Sequence, residues 1–375
     1  MILNYYFKKQ FYLVLGLFSF ANISIAQCYK SFSTGIAHSI AIKTDGTLWS
    51  WGANYYGELG DGTIIKKDVP TQIGKATNWK SVKTSNYYTI AIKSNGTLWT
   101  WGHNSYGELG DGTIIDKKIP TQIGKEINWS TISAGNNHVI AIKTDGTLWA
   151  WGNNMVGQLG DGTSINKNVP TQIGKDSNWS MVSAGGNKTI AIKKDGTLWA
   201  WGAAIIGDGT MEAKNVPTKI GTDSNWRSVN CGNGHILAIK TDGTLWAWGA
   251  NSNGQLGNGN NSKFVLLPTQ VGTENNWSKL TLGFDYTIAL KKDGTLWAWG
   301  WNSYGQLGDG TIVNKKIPTQ IGTDSNWNNI SAGSYHNLGV KTDGVIWTWG
   351  GNNEGQLGDG SLISKNIPIT INCPK

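Results

Sequence analysis

The sequence predicts an all-β fold: a seven-bladed β-propeller with four antiparallel strands per blade. Three observations predict it: a repeat with a period near 50 residues, an Asp-Gly or Asn-Gly pair in every copy, and an unusual composition. Charged residues make up only 15% of the 375, whereas there are 51 Gly and 21 Trp. This composition suits many short strands joined by tight turns, and it differs from that of a disordered chain.

The repeat is anchored by the motif Trp-x-Trp-Gly, which occurs seven times and fills the chain after residue 26. Its first Trp lies at positions Trp49, Trp99, Trp149, Trp199, Trp246, Trp297 and Trp347. A further Trp, preceded by Asn, begins every copy except the first, which has Tyr29. Because a 50-residue unit cannot bury both of its faces alone, the copies are expected to stack as one domain over residues 27–375.

Each copy predicts four short strands, as the third copy shows. Strand one covers residues 129–133 and strand two residues 139–142, and Asp145-Gly146 then forms a hairpin turn. Strand three is the Trp-x-Trp run, whose Trp pair shares one face and should pack on small residues of the next blade. Strand four contains Pro, which cannot donate to a ladder, so it should lie at the blade edge. A parallel β-helix is the structural alternative, but its coils repeat at shorter periods without a hairpin in each unit.

The first 26 residues have the pattern of a cleaved signal peptide. Lys8 and Lys9 precede an apolar stretch at 11–20, and the small residues at 24–26 predict cleavage after Ala26. An uncleaved anchor and lipidation of Cys28 are the alternatives. We therefore expect a secreted protein, extracellular, periplasmic or on the cell surface, with no membrane span after cleavage.

The charge pattern argues against nucleic-acid binding. The formal net charge is +8, and removing Lys8 and Lys9 leaves +8 − 2 = +6. The remaining lysines recur once or twice in each copy and form no block, whereas nucleic-acid binding favours a clustered basic face.

Two terminal cysteines predict how the ring closes. When the last copy is aligned on the others, Cys373 takes the place of Thr323 and Cys28 that of Asn326, three residues apart in a short loop. Ends that meet in this geometry lie within disulfide range, and export supplies an oxidising compartment. We therefore predict a Cys28–Cys373 disulfide. Cys231 stands where other copies have Ala, which indicates a small buried residue.

No motif for catalysis, metal binding or a cofactor is found, so we predict no catalytic residues, no metal and no cofactor. His38, His138, His235 and His336 share one repeat position, and such His are expected to bond loop backbone groups. An enzyme would need an unrepeated charged cluster near the axis, for which the short loop of copy four offers only Asp208 and Glu212.

The motifs Gly-x-x-His, Asp-Gly-x-Leu-x-x-Trp-Gly-x-Asn and Gly-Gln-Leu-Gly resemble the RCC1 repeat family over residues 28–373. Two departures are a loop three residues shorter in copy four and one extra residue in copy five. The resemblance implies a propeller that grips other proteins, and a secreted member of this type binds an enzyme through aromatic side chains on two of its loops.

Those two loops vary most among the copies: the one before strand two and the one after strand three. Both should emerge opposite the Asp-Gly turn, on one face of the disc, and they are rich in aromatic residues, which dominate binding hot spots. The predicted binding residues are Tyr55, Tyr56, Tyr87, Tyr88, His103, Tyr106, Phe284, Tyr286, Trp301, Tyr304 and Tyr335. We therefore expect a monomeric module with a protein partner; a glycan ligand and, less favoured, a lyase or hydrolase are the alternatives.

Overall fold

The computed structural model describes residues 28–374, so the predicted signal peptide lies outside the described residues. The described chain forms seven four-stranded antiparallel sheets, each built from four consecutive strands. The strands are β1 (Tyr29–Thr34), β2 (His38–Lys43), β3 (Leu48–Gly52), β4 (Lys67–Ile73), β5 (Trp79–Thr84), β6 (Tyr88–Lys93), β7 (Leu98–Gly102), β8 (Lys117–Ile123), β9 (Trp129–Ala134), β10 (His138–Lys143), β11 (Leu148–Gly152), β12 (Lys167–Gln172), β13 (Trp179–Gly185), β14 (Lys188–Lys193), β15 (Leu198–Gly202), β16 (Lys214–Lys219), β17 (Trp226–Cys231), β18 (His235–Lys240), β19 (Leu245–Ala250), β20 (Phe264–Gln270), β21 (Trp277–Leu282), β22 (Tyr286–Lys291), β23 (Leu296–Gly300), β24 (Lys315–Gln320), β25 (Trp327–Ala332), β26 (His336–Lys341), β27 (Ile346–Gly350) and β28 (Lys365–Thr370). Blade 1 is β1–β4 and blade 7 is β25–β28, which confirms the predicted seven-bladed propeller.

The Asp-Gly turns connect strands two and three as predicted. In blade 3, β10 pairs with β11 from His138↔Gly152 to Ile142↔Leu148. Gly146 has a φ of +83°, and an added Cβ would lie 2.2 Å from the carbonyl oxygen of Ser177 in the loop leading to blade 4. Glycine is therefore required at this turn both for its backbone conformation and for the close approach of the next blade.

The outermost strand of each blade contains the proline, as the sequence predicts. In blade 3 the strand order is β12-β11-β10-β9, so β12, which contains Pro170, pairs on one side only. A proline there removes no ladder hydrogen bond from the interior of the sheet.

The tryptophan pairs hold neighbouring blades together, with one difference from the prediction. Trp151 packs against Ile90, Ile92 and Leu98, so the Trp pair faces the preceding blade and meets large aliphatic residues there. The Trp151 Nε1 donates to the carbonyl of Glu108 in blade 2 at 2.9 Å. Large aliphatic side chains fill this space because β6 and β7 present them on the face that the next blade covers.

The ring closes without exchanging a strand between the ends of the chain. Cys28 and Cys373 form the predicted disulfide, with Cα atoms 5.9 Å apart. Beside it, Ser39 Oγ lies 2.9 Å from His336 Nε2, and Trp51 Nε1 donates to the Gln356 carbonyl at 2.9 Å. Blades 7 and 1 therefore meet through the same contacts as other neighbours, together with one covalent bond.

Candidate interaction surface

The two variable loops of each blade leave the sheet side by side. In blade 2 the His103 amide donates to the Tyr87 carbonyl at 2.9 Å, and in blade 6 the Trp301 amide donates to the Asp285 carbonyl at 2.9 Å. The same bond recurs in the other blades, because strands two and three are paired up to this point. The prediction that both loops share one face of the disc is therefore confirmed.

A first group of rings, named here the Tyr87 cluster, spans blades 1 and 2. Its members are Tyr55, Tyr56, Tyr87, His103 and Tyr106. The Tyr87 ring lies 6.3 Å from that of Tyr55 and 5.2 Å from that of Tyr56, measured between centroids. His103 lies 4.7 Å from Tyr56 and 6.5 Å from Tyr106. Tyr55 remains 54% exposed, so part of the cluster is open to a partner.

A second group, named here the Trp301 cluster, spans blades 6 and 7. Its members are Phe284, Trp301, Tyr304 and Tyr335. Trp301 contacts Tyr304 edge-on at 5.6 Å and Tyr335 at 5.7 Å, and Phe284 stacks on Tyr335 at 6.2 Å. The Trp301 Nε1 donates to Ser303 Oγ at 2.7 Å, which fixes the indole in place. Tyr304 is the most exposed ring of the four, at 39%.

The two clusters are neighbours because blades 6, 7, 1 and 2 follow one another around the ring. Between them lies Glu354 of blade 7, and a hydrogen bond to its carboxylate raises the pKa of Tyr55 to about 12. Burial raises the pKa of Tyr87, and the neighbouring Tyr335 adds to this effect across the junction of the clusters. We call the nine clustered residues together the aromatic arc.

Two of the eleven predicted binding residues are not on this surface. Tyr88 and Tyr286 are fully buried. The Tyr88 hydroxyl donates to the carbonyls of Gly135 and His138 in blade 3, each at 2.8 Å. Both tyrosines occupy the first position of strand two, whose side chain points into the interface between blades. The surface position predicted for Tyr88 and Tyr286 is therefore wrong, whereas the binding role of the nine residues of the aromatic arc stays a prediction.

The sequence reasoning missed the carboxylates below and between these rings. Glu58 and Glu108 are fully buried and replace the Gln of the other Gly-Gln-Leu-Gly motifs. The Tyr56 amide donates to Glu58 at 2.7 Å, and the Tyr106 amide donates to Glu108 at 2.8 Å. Burial raises the pKa of Glu58. The change from Gln to Glu in the first two copies was the signal that could have revealed them.

The repeated histidines have a different structural role from the one expected. His138 Nε2 lies 3.1 Å from Thr189 Oγ1, so its contacts are with strand two of the following blade. Burial lowers the pKa of His138 to about 3, and the other three histidines share this environment. Burial likewise raises the pKa of the Cys231 thiol to about 12, which makes it a poor nucleophile.

The central channel has a polar wall built from the innermost strands. In most blades a side-chain hydroxyl on this wall accepts a hydrogen bond from a backbone amide of the next blade. In blade 3, for example, Ser133 Oγ accepts from the Ala184 amide of blade 4 at 2.9 Å. Lys83 replaces this hydroxyl in blade 2, and the described lining contains no Asp or Glu. Asp208 and Glu212 lie instead beside Lys214, at the start of the outermost strand of blade 4. In residues 28–374 no three His, Cys, Asp or Glu side chains are grouped to hold a metal.

The outer rim carries a second set of exposed apolar residues. Pairs such as Ile64-Ile65 and Ile114-Ile115 are 55–65% exposed and recur in most blades after the Gly-Asp-Gly-Thr turn. Both positions are apolar only in blades 1, 2, 6 and 7, whereas blades 3 to 5 have at most one apolar residue there, so these pairs belong to the same blades as the aromatic arc. In residues 28–374 no helix has the length and hydropathy needed to cross a bilayer.

Sequence comparisons place the chain among RCC1 proteins. The RCC1-like domain model matches residues 124–374, and RCC1 repeat models match residues 45–92 and 95–142, and residues 29–58 and 79–108. The ultraviolet-B receptor UVR8 of Arabidopsis thaliana is 35% identical over 63 residues, which are 16% of this chain and 14% of that protein. The protein RCC2 homolog of Xenopus laevis is 54% identical over 37 residues, which are 10% of this chain and 7% of that protein. The matched segments thus span only a small part of either relative.

Solved structures agree on the fold. Human WBSCR16 superimposes with a TM-score of 0.75 at 21% identity, covering 84% of this chain and 88% of that one. Yeast RCC1 (Prp20), in its complex with Kap60, gives a TM-score of 0.77 at 19% identity, covering 86% and 83% of the two chains. With a model match over more than half of its length, this chain belongs to the RCC1-like domain family.

Proposed function

We propose that this chain is a secreted, monomeric protein-binding module whose partner docks on the aromatic arc. The observation that carries the proposal is the lopsided placement of the rings. Blades 6, 7, 1 and 2 present nine clustered aromatic side chains, whereas the equivalent loops of blades 3, 4 and 5 contain mainly Asn, Gly and aliphatic residues. The body of the propeller does not need these rings, because blades 3 to 5 fold without them.

The chemistry of the arc suits protein recognition. Tyr and Trp offer large, rigid contact area with a polar tip at small entropic cost, and they are enriched in binding hot spots. Contiguous apolar surface of this kind on a monomer commonly marks an interaction site. Protein partners also occur among structural neighbours: yeast RCC1 is described bound to Kap60, and Prp20p is described with binding properties to Gsp1p and histones.

Secretion is part of the proposal and has two supports. Residues 1–26 have the charge and apolar pattern of a signal peptide. The Cys28–Cys373 disulfide belongs to the class of bond that persists in oxidising compartments and is rare in the cytosol. Cleavage after Ala26 would leave Cys28 as the second residue of the mature chain.

The alternatives have less support. A glycan could stack on the same rings, but none of the described observations selects a sugar over a protein. An enzyme would need paired acid and base groups near the axis, and the described channel lining has lysines without carboxylates.

The proposal is tested by partner capture from the native extracellular medium, with the mature chain immobilised. We expect Trp301→Ala and Tyr304→Ala to lose the captured protein while the melting temperature stays nearly unchanged. Met155→Ala is the matched control, since Met155 is 67% exposed in the equivalent loop of blade 3. Capture that survives both arc substitutions, or that Met155→Ala also abolishes, would contradict the proposal. A glycan array hit that depends on Trp301 would assign the surface to sugar instead.

A further inference from the structure

The carboxylate of Glu58 is buried with one oxygen left unpaired. Glu58 is fully buried; its Oε2 accepts from the Tyr56 amide, and its Oε1 has no hydrogen-bond partner. An unpaired oxygen of a buried carboxylate is costly, because the group has lost its water without gaining a donor. Stability therefore does not explain why a glutamate occupies this position.

The other copies show which side chains normally serve the equivalent atom. Glu108 Oε1 bonds His103 Nδ1, and the side-chain nitrogen of Asn137, Nδ2, lies 3.4 Å from the same oxygen. In blade 5, Gln255 Nε2 donates to Asp285 at 3.0 Å. The partners thus come from two repeat positions, the first residue after strand three and the residue before strand two.

In blade 1 these two positions hold Ala53 and Tyr87. Ala53 has no polar side chain, and the Tyr87 ring packs against Tyr55 and Tyr56 in the cluster above. By the repeat symmetry, Glu58 Oε1 therefore faces the underside of the Tyr87 cluster. The Tyr56 amide serves Oε2, and these two positions supply no polar side chain to pair with Oε1.

A second carboxylate stands at the edge of the same rings. Glu354 of blade 7 lies beside Tyr55, the most exposed ring of the cluster, and raises the pKa of its hydroxyl to about 12. Its only ion-pair partner among the described residues is Lys66, at 3.4 Å, and the Lys66 side chain is 44% exposed. The three tyrosines thus have one acidic group below them and one beside them.

The charge of the arc is opposite to that of the whole chain. The chain carries 32 Lys and Arg against 24 Asp and Glu. In blades 6, 7, 1 and 2, however, the loop before strand two and the first six residues after strand three contain no Lys or Arg. The same segments contain four carboxylates, namely Glu58, Glu108, Asp285 and Glu354. A cationic partner surface would complement this face, and an anionic one would be repelled.

We propose that Tyr55, Tyr56 and Tyr87 form a site for a cationic side chain, a lysine or arginine, of the protein that docks on the aromatic arc. The inference rests on the proposed function and adds the chemistry of the contact. A cation within about 6 Å of a tyrosine ring is attracted to its face. Glu58 acts as the counter-charge beneath the rings and Glu354 as the counter-charge at their edge.

The test uses two peptide probes, acetyl-Gly-Lys-Gly-amide and the same peptide with norleucine, which keeps the apolar stem but has no charge. Binding to the mature chain with ¹³C-labelled tyrosine rings is followed by NMR. We expect the lysine peptide to shift the Tyr55, Tyr56 and Tyr87 signals and to leave Tyr304 unchanged. We expect the norleucine peptide to shift none of them.

Glu58→Gln removes the charge and installs the residue that copies three, five, six and seven carry. It should weaken binding of the lysine peptide about five-fold, the scale of one exposed cation–π contact. Glu274→Gln is the matched control, because that carboxylate lies outside the arc and pairs with Lys291 at 2.8 Å, and it should leave affinity unchanged. Should Glu58→Gln prove unstable, Glu354→Gln tests the same effect, because it removes the carboxylate charge at the edge of the three rings.

Equal binding of the two peptides, or equal affinity of the Glu58→Gln and Glu274→Gln variants, would overturn the inference. The partner-capture experiment separates this failure from that of the proposed function. If Trp301→Ala abolishes capture and Glu58→Gln leaves it intact, the inferred cationic contact is ruled out and the arc is retained as the docking face.

Discussion

At the residue scale, the first position of strand two accepts different side chains because all of them serve the interface between blades. His138 bonds the hydroxyl of Thr189 in the following blade, whereas the hydroxyl of Tyr88 contacts two backbone carbonyls of the following blade. In blade 4 the same position holds Lys188, whose pKa is lowered by burial. The repeat thus constrains burial and a polar contact with the next blade more tightly than it constrains the residue type.

The buried histidines predict a loss of stability in mild acid. Burial lowers the pKa of His138 to about 3, whereas an unfolded His has a pKa near 6.5. Between these values the unfolded chain binds the extra proton, so the free energy of unfolding falls as the pH drops below about 6.5. From pH 7 to pH 5 each such His should cost about 2 kcal/mol.

The measurement is the free energy of unfolding at pH 7 and pH 5 for the native chain and for His138→Tyr, the residue used in blades 2 and 6. The variant should lose about 2 kcal/mol less over this interval. Hydrogen bonds to Thr47 lower the pKa of the surface carboxylate Asp45 below its ordinary value of 3.8. Such carboxylates change the free energy of unfolding only below that ordinary value, and so they do not contribute between pH 7 and pH 5. An equal loss in both proteins would contradict the assignment.

At the scale of the element, six of the seven described blades make a hydrogen bond from the second Trp of the third strand to the blade before them, and blade 4, with Trp201, is the exception. Trp151 Nε1 donates to the Glu108 carbonyl across the interface, whereas Trp149 Nε1 donates to Thr147 within its own hairpin at 3.0 Å. The two indoles stand on one strand and differ in what they bond and in burial, since Trp151 is fully buried and Trp149 is partly exposed.

Trp151→Phe should therefore destabilise the protein by about 2–4 kcal/mol, because it leaves a buried carbonyl unpaired and opens a gap beside it. Trp149→Phe is the matched control and should cost about 1 kcal/mol, since its ring is partly exposed and its partner Thr147 can reach water. Urea denaturation of both variants checks this. Equal destabilisation by the two substitutions would mean that the hydrogen bond between blades contributes no more to stability than the one within the hairpin.

The sequence predicted the elements well and the site incompletely, for physical reasons. Strand patterns, the Asp-Gly turns and the proline at the edge are local, and all of them appear in the structure. Burial of Tyr88 depends on the blade that covers it, so its aromatic character alone suggested a surface role. The Glu58 environment depends on Ala53 and Tyr87 together, and only the packing of blade 2 on blade 1 brings Tyr87 next to it.

At the scale of the whole molecule, a single covalent bond assists closure of the ring. All seven sheets are built from consecutive strands, so none of the described blades combines the two ends of the chain. The Cys28–Cys373 disulfide closes a loop with a sequence separation of 345. In the chain-entropy model such a loop is worth up to about 4–5 kcal/mol.

Replacing both cysteines, Cys28→Ser with Cys373→Ser, should lower the free energy of unfolding by up to about 4–5 kcal/mol. Denaturation with and without a reducing agent checks this, and reduction of the native protein should give the same loss. Cys231→Ser is the control, because that thiol is outside the bridge. A bridge variant as stable as the Cys231→Ser protein would show that packing alone closes the ring.

The central claim is that blades alike in architecture build the body and that the rings peculiar to four of them recognise the partner. Hydrogen–deuterium exchange of the protein with and without its captured partner tests this most directly. The account predicts slowed exchange in residues 53–58, 85–87, 103–108 and 301–306, with blades 3 to 5 unchanged. Slowed exchange at the Asp-Gly turns, or spread evenly over the outer rim of all seven blades, would contradict it.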